Sequence, residues 1–395
     1  MNMNFSVARL PRIEFGQGSL KKLPDIIKQY GSPVLFVTGS HSFVQTQAWM
    51  DLLHDMHLSV IAYGHCQVNS EPSPVWVDEV VRAHSDINYK AVIGIGGGSV
   101  MDAAKAIAGL LKVNRSVMDY LEGVGPELEY PGPAVPFIVV PTTAGTGSEA
   151  TKNAVLSMHG EEGFKMSFRH DKLVAEYALI DPDLLATCPP ALIAANGMDA
   201  LTQLLESYVS TRANPFTDAL VLSGLRAVKE SLLPWYKNGA SEKTAMGNMA
   251  YAALLSGITL AQVGLGSVHG LAAPLGAFFP IPHGVVCGTL VASATEVNIR
   301  TMQAQTPDHP ALSRYAKLAE TLCGSHFADQ ESAFTALIKL LHLWTEKMHL
   351  PTLTELGVKE TDFDRIVANC RGSSMKTNPI ELSDEQVRSI LMARM

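Results

Sequence analysis

The first half of the chain alternates short apolar runs with stretches of helical period. Val34-Leu35-Phe36-Val37, Val60 to Tyr63, Ala91-Val92-Ile93, Phe137-Ile138-Val139-Val140 and Ala178-Leu179-Ile180 are runs of strand type, bounded by Gly, Ser, Thr, Pro or Asp. Ile13 to Phe15 opens the series with alternating residues, and Leu20 to Tyr30, Val75 to Ala83 and the segment from Met101 onward repeat apolar residues at helical spacing. Strands alternating with helices predict a parallel, doubly wound sheet. At Thr187-Cys188-Pro189-Pro190 the pattern changes, because a Pro pair stops any element and almost no strand pattern follows. The expected architecture is an α/β domain over residues 1–187 and an all-helical domain over 188–395.

In the second half, Asn214-Pro215 predicts a helix start with Asn as cap and Pro at the first position. Phe334, Leu337, Leu341, Trp344 and Met348 form one apolar stripe, and Ser383-x-x-Gln386 has the form of a capping box. The most apolar stretch, Met249 to Gly266, is interrupted by Ser256, Thr259 and Gln262, which predicts a buried helix and no membrane span.

Two turns carry chemistry. After Ala91-Val92-Ile93 comes Gly94-Ile95-Gly96-Gly97-Gly98-Ser99. Consecutive glycines let backbone N–H groups approach an anion, and the helix behind them points its positive end at the same place, so a diphosphate cradle is expected. A plain strand-to-helix turn would also use glycine, so a second signal matters. It is Pro141-Thr142-Thr143-Ala144-Gly145-Thr146-Gly147-Ser148, whose hydroxyls suit a polar nucleotide in a parallel-sheet crevice.

In the second half, Asp199 and Gln203 stand four apart and share a helix face. His269 and His283 stand fourteen apart, with Gly270, Pro274, Gly276, Pro280 and Pro282 between or beside them. One continuous helix is thereby excluded, and the segment is expected to fold back and bring the imidazoles together. Taken alone, the two residues also fit satisfied core histidines.

GGGSxxD at Gly96 to Asp102 together with PTTAGTGSE at Pro141 to Glu149 resembles the iron-containing (group III) alcohol dehydrogenase family, and later motifs extend the match over nearly the whole chain. The resemblance implies a dehydroquinate synthase-like fold and a nicotinamide cofactor held by Gly39, Ser40, Gly97, Gly98, Ser99, Asp102, Thr142, Thr143, Thr146, Ser148 and Lys165. Family members that prefer NAD commonly have Asp where this chain has Gly39. Without that acid, and with Ser40 able to donate to a 2′-phosphate, NADP is expected ahead of NAD.

The family's metal site is an Asp, a His four later, and two His fourteen apart. Asp199, His269 and His283 match it, Gln203 replaces the first His, and Ala273 stands where a further His is often found. The resemblance thus implies a divalent metal, Fe²⁺ or Zn²⁺, on Asp199, Gln203, His269 and His283, with an amide oxygen as the weakest ligand. Asp199, His269 and His283 are also the expected catalytic residues. The implied reaction is hydride transfer between NAD(P) and a small alcohol or carbonyl, with the metal as Lewis acid. Rival readings are a metal-independent reductase of the maleylacetate reductase type, a carbon–oxygen lyase of the dehydroquinate synthase type, and a non-catalytic NAD(P)-binding protein.

Composition narrows the partners. A net charge of −8 lacks the basic field that nucleic acid requires. Five dispersed cysteines without CxxC spacing suggest neither disulfides nor a thiolate zinc site. The N-terminus has no basic region followed by an apolar core, so a cytoplasmic protein is expected, as a homodimer or higher homo-oligomer by resemblance.

Overall fold

The apolar runs form strands β1 Arg12–Phe15, β2 Val34–Gly39, β3 Tyr63–Val68, β4 Ala91–Gly96, β5 Phe137–Pro141, β6 Asn153–Met158, β7 Phe164–Arg169 and β8 Tyr177–Ile180. This computed structural model describes residues 4–160 and 163–395. The chain divides into one unit of Ala8–Met158 with Gly163–Cys188 and another built on Pro189–Met395.

In the first unit six strands form a parallel sheet in the order β1-β8-β5-β4-β2-β3. Between the strands run helices α1 Leu23–Lys28, α2 Gln47–Leu58, α3 Pro74–His84 and α4 Gly98–Leu110. The central strands β2, β4 and β5 are apolar without alternation because both faces are buried. Phe36 on β2 meets Trp49 on α2 edge to face, ring centroids 5.5 Å apart, and burying each such side chain contributes roughly 1.5–3 kcal/mol. From β2 the chain steps outward to β3 and returns by α3 to β4 on the other side of β2. The strand order therefore reverses between β2 and β4, and ligand crevices form outside the carboxyl ends of strands at such a point.

Two details differ from expectation. The strand foreseen at Val60–Tyr63 begins only at Tyr63, while Val60, 88% exposed with φ 55°, belongs to the turn after α2. As the edge strand, β3 alternates exposed and half-buried residues, and His65 and Gln67 hide its period from an apolar scan. β6 and β7 form a separate antiparallel pair that the parallel pattern did not foreshadow.

The second unit is helical: α5 Pro190–Val209, α6 Pro215–Asn238, α7 Lys243–Val263, α8 Ser267–Phe278, α9 His283–Gln305, α10 Pro310–Cys323, α11 Gln330–Lys347, α12 Phe363–Ala368 and α13 Asp384–Met392. Asn214 caps α6 by accepting from the amides of Phe216 and Thr217, and Ser383 and Gln386 form the capping box of α13; such caps are worth roughly 1 kcal/mol each. α5 is buried almost all round from Ile193 to Val209 and packs against α6, α7 and α9, so it forms the core of the unit. Its polar residues Asp199, Gln203 and Glu206 are consequently buried too. α7 is the buried helix the interrupted apolar stretch predicted, and no single helix among the described residues is long and apolar enough to cross a membrane. Between His269 and His283 the helix breaks at Phe279–Pro282, whereas Pro274 is accommodated inside α8.

Candidate active site

β4 ends at Gly96 and α4 begins at Gly98, with Gly97 as its N-cap. Thr46 and Ser73 cap α2 and α3 through their hydroxyls, whereas the N-cap of α4 is Gly97, which has no side chain to do so. The amides of its first turn, including that of Ser99, therefore call for an outside acceptor, and the helix dipole favours an anion there. The hydroxyl loop lies directly against this turn: the Thr142 amide donates to the Gly96 carbonyl at 2.9 Å. A Cβ placed on Gly97 would stand 3.3 Å from Thr143 Oγ1, and one on Gly98 would stand 2.8 Å from Thr146 Cγ2, closer than side chains pack. The two loops follow the carboxyl ends of the neighbouring strands β4 and β5, and β4 is one of the two strands between which the sheet order reverses.

Ser148 donates to Asp102 Oδ1 at 2.6 Å, so these two bind each other and tie the hydroxyl loop to α4. Below them Lys105, fully buried, donates to the Ser148 carbonyl, Ser148 Oγ and Thr151 Oγ1, each at 3.0 Å, and to the Asn153 carbonyl at 2.6 Å. Burial pushes the Lys105 ammonium down to about 8, with Asp102 opposing the shift, and raises the carboxyl of Asp102. Burial also lifts Glu149 to about 7. Lys105 and Glu149 were missed by sequence reasoning, although AAKAI places a charge on an otherwise apolar helix face.

Gly39 ends β2 beside β4, with no acid on its backbone. A Cβ built there would stand 3.8 Å from Val100 Cγ2, an ordinary contact. Ser40 follows it directly at the same strand end. Lys165 is held by Glu71, Nζ to Oε1 2.6 Å, while Ser157 donates to the other oxygen of Glu71 at 2.7 Å.

In the helical unit Asp199 is fully buried on α5. Its Oδ1 lies 3.3 Å from His269 Nε2 and 3.7 Å from His283 Nε2, and its Oδ2 is buried with no hydrogen-bond partner among the described residues. The two imidazoles, from α8 and α9, have ring centroids 5.4 Å apart. His269 Nδ1 donates to Glu206 Oε2 at 2.6 Å, and Glu206 also accepts from the amides of Gly266 and Val268, at 2.9 and 2.7 Å. This places the proton on Nδ1 and aims Nε2 at Asp199. Two acceptors facing each other at 3.3 Å call for a proton or a cation between them.

Burial disfavours charge on both partners, yet the surrounding groups win. The histidines, His283 foremost, hold Asp199 below the usual carboxylate range, and Cys287, Glu206 and Asp199 hold His269 well above the usual imidazole range. The partnerless carboxylate oxygen and the convergent donors fit a divalent ion. Gln203, one turn after Asp199 on α5, turns its Oε1 to Ser256 on α7, 2.7 Å away. The residue absent from the sequence reading is Cys287. Its Sγ is 3.6 Å from His269 Nε2 and 3.7 Å from His283 Nε2, and the donor atoms of Asp199, His269, His283 and Cys287 all lie within 4.8 Å of one another. His283-x-x-x-Cys287 puts both on one face of α9, a spacing that a search for CxxC passes over. Burial pushes this thiol up to about 12. Glu206, seven residues after Asp199 on the same face of α5, was likewise missed.

Residues 11–182 match the family model for iron-containing alcohol dehydrogenase, and residues 193–395 match that for the C-terminal part of the Fe-containing alcohol dehydrogenase family. Alcohol dehydrogenase 4 of Saccharomyces cerevisiae is 35% identical over 95% of this chain and 95% of its own. Long-chain-alcohol dehydrogenase 1 of Geobacillus thermodenitrificans is 32% identical over 98% of this chain and 97% of its own. Among solved structures, a 1,3-propanediol oxidoreductase superposes with a TM-score of 0.89 at 26% identity, covering 99% of this chain and 100% of that one. The chain belongs to the iron-containing alcohol dehydrogenase family, whose members are oxidoreductases acting on CH–OH groups.

Proposed function

We propose that the protein reversibly transfers a hydride between NADP or NAD and a small alcohol or its aldehyde or ketone, with a divalent ion at Asp199, His269 and His283. The observation that carries this reading is the convergence of both imidazoles on Asp199 Oδ1, beside a buried Oδ2 that has no hydrogen-bond partner among the described residues. Bound there, a divalent ion supplies Lewis-acid polarisation of a substrate oxygen, while the nicotinamide gives or takes the hydride. Asp199 contributes formal charge to the site, and Glu206 fixes the ring of His269 through Nδ1. In the other unit the amides of Gly98 and Ser99 bind the cofactor diphosphate, with Thr142, Thr143 and Thr146 lining the loop and Asp102 and Ser148 bracing it. Gly39 and Ser40 leave room for a 2′-phosphate, and Lys165, braced by Glu71, stands at the cofactor. Free cysteines support a cytoplasmic location, and an edge strand β1 paired on one side only supports a homo-oligomer.

The test is a screen of NADPH and NADH oxidation by the purified protein against an aldehyde panel, with metal content measured on the same sample. His269→Ala and His283→Ala are expected to abolish both turnover and metal binding while calorimetric NADPH binding persists. Full activity in a chelated, metal-free sample rejects the metal-assisted reading.

A further inference from the structure

We infer that Cys287, and not Gln203, supplies the fourth protein ligand of the metal centre, making an Asp-His-His-Cys set that selects zinc over iron. The inference rests on the metal-assisted reading above and assigns a ligand that the sequence motif does not contain. Cys287 stands one turn after His283 on α9, fully buried, with its sulfur nearly equidistant from Nε2 of both imidazoles at 3.6 and 3.7 Å. In tetrahedral zinc sites, with bonds of about 2.0–2.1 Å to N and O and about 2.3 Å to S, neighbouring donors stand roughly 3.4 Å apart for N and O and roughly 3.6 Å for N and S. The N-to-O separations here are 3.3 and 3.7 Å. These four edges of the donor set thus fall close to their expected lengths.

The Gln203 amide oxygen, by contrast, is engaged by the Ser256 hydroxyl at 2.7 Å. The chemistry favours the sulfur as well. On binding, the thiol gives its proton to solvent, and the resulting thiolate with the Asp199 carboxylate balances the charge of a divalent ion, which a neutral amide cannot do. Thiolate is a soft ligand, so the exchange of an imidazole for sulfur shifts preference toward zinc.

The test uses the full chain stripped of metal and reloaded with Co²⁺ or Zn²⁺. The Co²⁺ form of the unaltered protein is expected to show a sulfur-to-metal charge-transfer band in the near ultraviolet, lost in Cys287→Ser and kept in Gln203→Ala. Zinc affinity by competition with a chromophoric chelator is expected to fall roughly tenfold or more in Cys287→Ser and less than about threefold in Gln203→Ala. Bound Co²⁺ without that band in the unaltered protein overturns the assignment of Cys287, needs no variant, and leaves the metal-assisted reading standing. Equal loss of zinc in the two variants also overturns it. If neither ion binds stoichiometrically, the assignment and the metal-assisted reading fall together.

Discussion

Glu206 Oε2 lies 2.6 Å from His269 Nδ1, and that bond determines which ring nitrogen meets Asp199. Because carboxylate partners of this kind orient a ligand and raise its basicity, Glu206→Gln is expected to weaken zinc binding about 10- to 100-fold. The amide oxygen still accepts one hydrogen bond, so the fold should persist. Chelator competition alongside circular dichroism checks both halves; unchanged zinc affinity in a folded variant would show that His269 is oriented by packing alone.

A branched side chain at position 98 meets Thr146 and occupies the space beside the first-turn amides. Gly98→Val is expected to destabilise the protein by about 1–3 kcal/mol, as overpacking does, and to abolish calorimetric NADPH binding. Retained affinity in the folded variant would move the diphosphate elsewhere.

Gly39→Asp tests the choice of cofactor. A carboxylate near a 2′-phosphate is repulsive by roughly 1 kcal/mol or more at partly screened distances, so kcat/KM with NADPH should fall while that with NADH is spared. Equal loss for both cofactors defeats the assignment of Gly39 and Ser40.

Glu149 makes stability depend on pH. Its carboxyl titrates near 7 in the fold against an ordinary 4.5, so between these values the folded state binds more protons than the unfolded one. Stability is then fully present below the unfolded value and declines as pH rises through the folded one. The decline is on the order of 3 kcal/mol, each pK unit being worth about 1.4 kcal/mol. Glu149→Gln, neutral throughout, should flatten this slope in urea denaturation of the cofactor-free protein between pH 4.5 and 7; parallel curves for the two proteins reject it.

What the sequence made legible is what local rules govern. Unbroken apolar runs announced β2, β4 and β5, and the caps at Asn214 and Ser383 lie where their dipeptide and tetrapeptide signals put them. The fold-back between His269 and His283 followed from Gly and Pro placement, and the rings do meet. β3 was displaced because an edge strand shows half of its face to water and loses the apolar signature. Cys287 and Glu206 escaped notice for another reason. Each acts through a partner on a different helix, and nothing in a single sequence records that α8 and α9 bring their residues to α5. Lys105 is similar, since its four oxygen partners lie more than forty residues downstream.

The open space at Gly39 has an evolutionary reading. A Cβ on its backbone makes an ordinary contact, 3.8 Å from Val100 Cγ2, so the fold accepts the first atom of a side chain there. Every glycine codon becomes an aspartate or a glutamate codon on a single change of its second base. A lineage carrying this chain stands one point mutation from presenting a carboxylate at the end of β2. On the cofactor reading proposed above, a shift of preference between the 2′-phosphorylated and the unphosphorylated nucleotide needs no more than that one step.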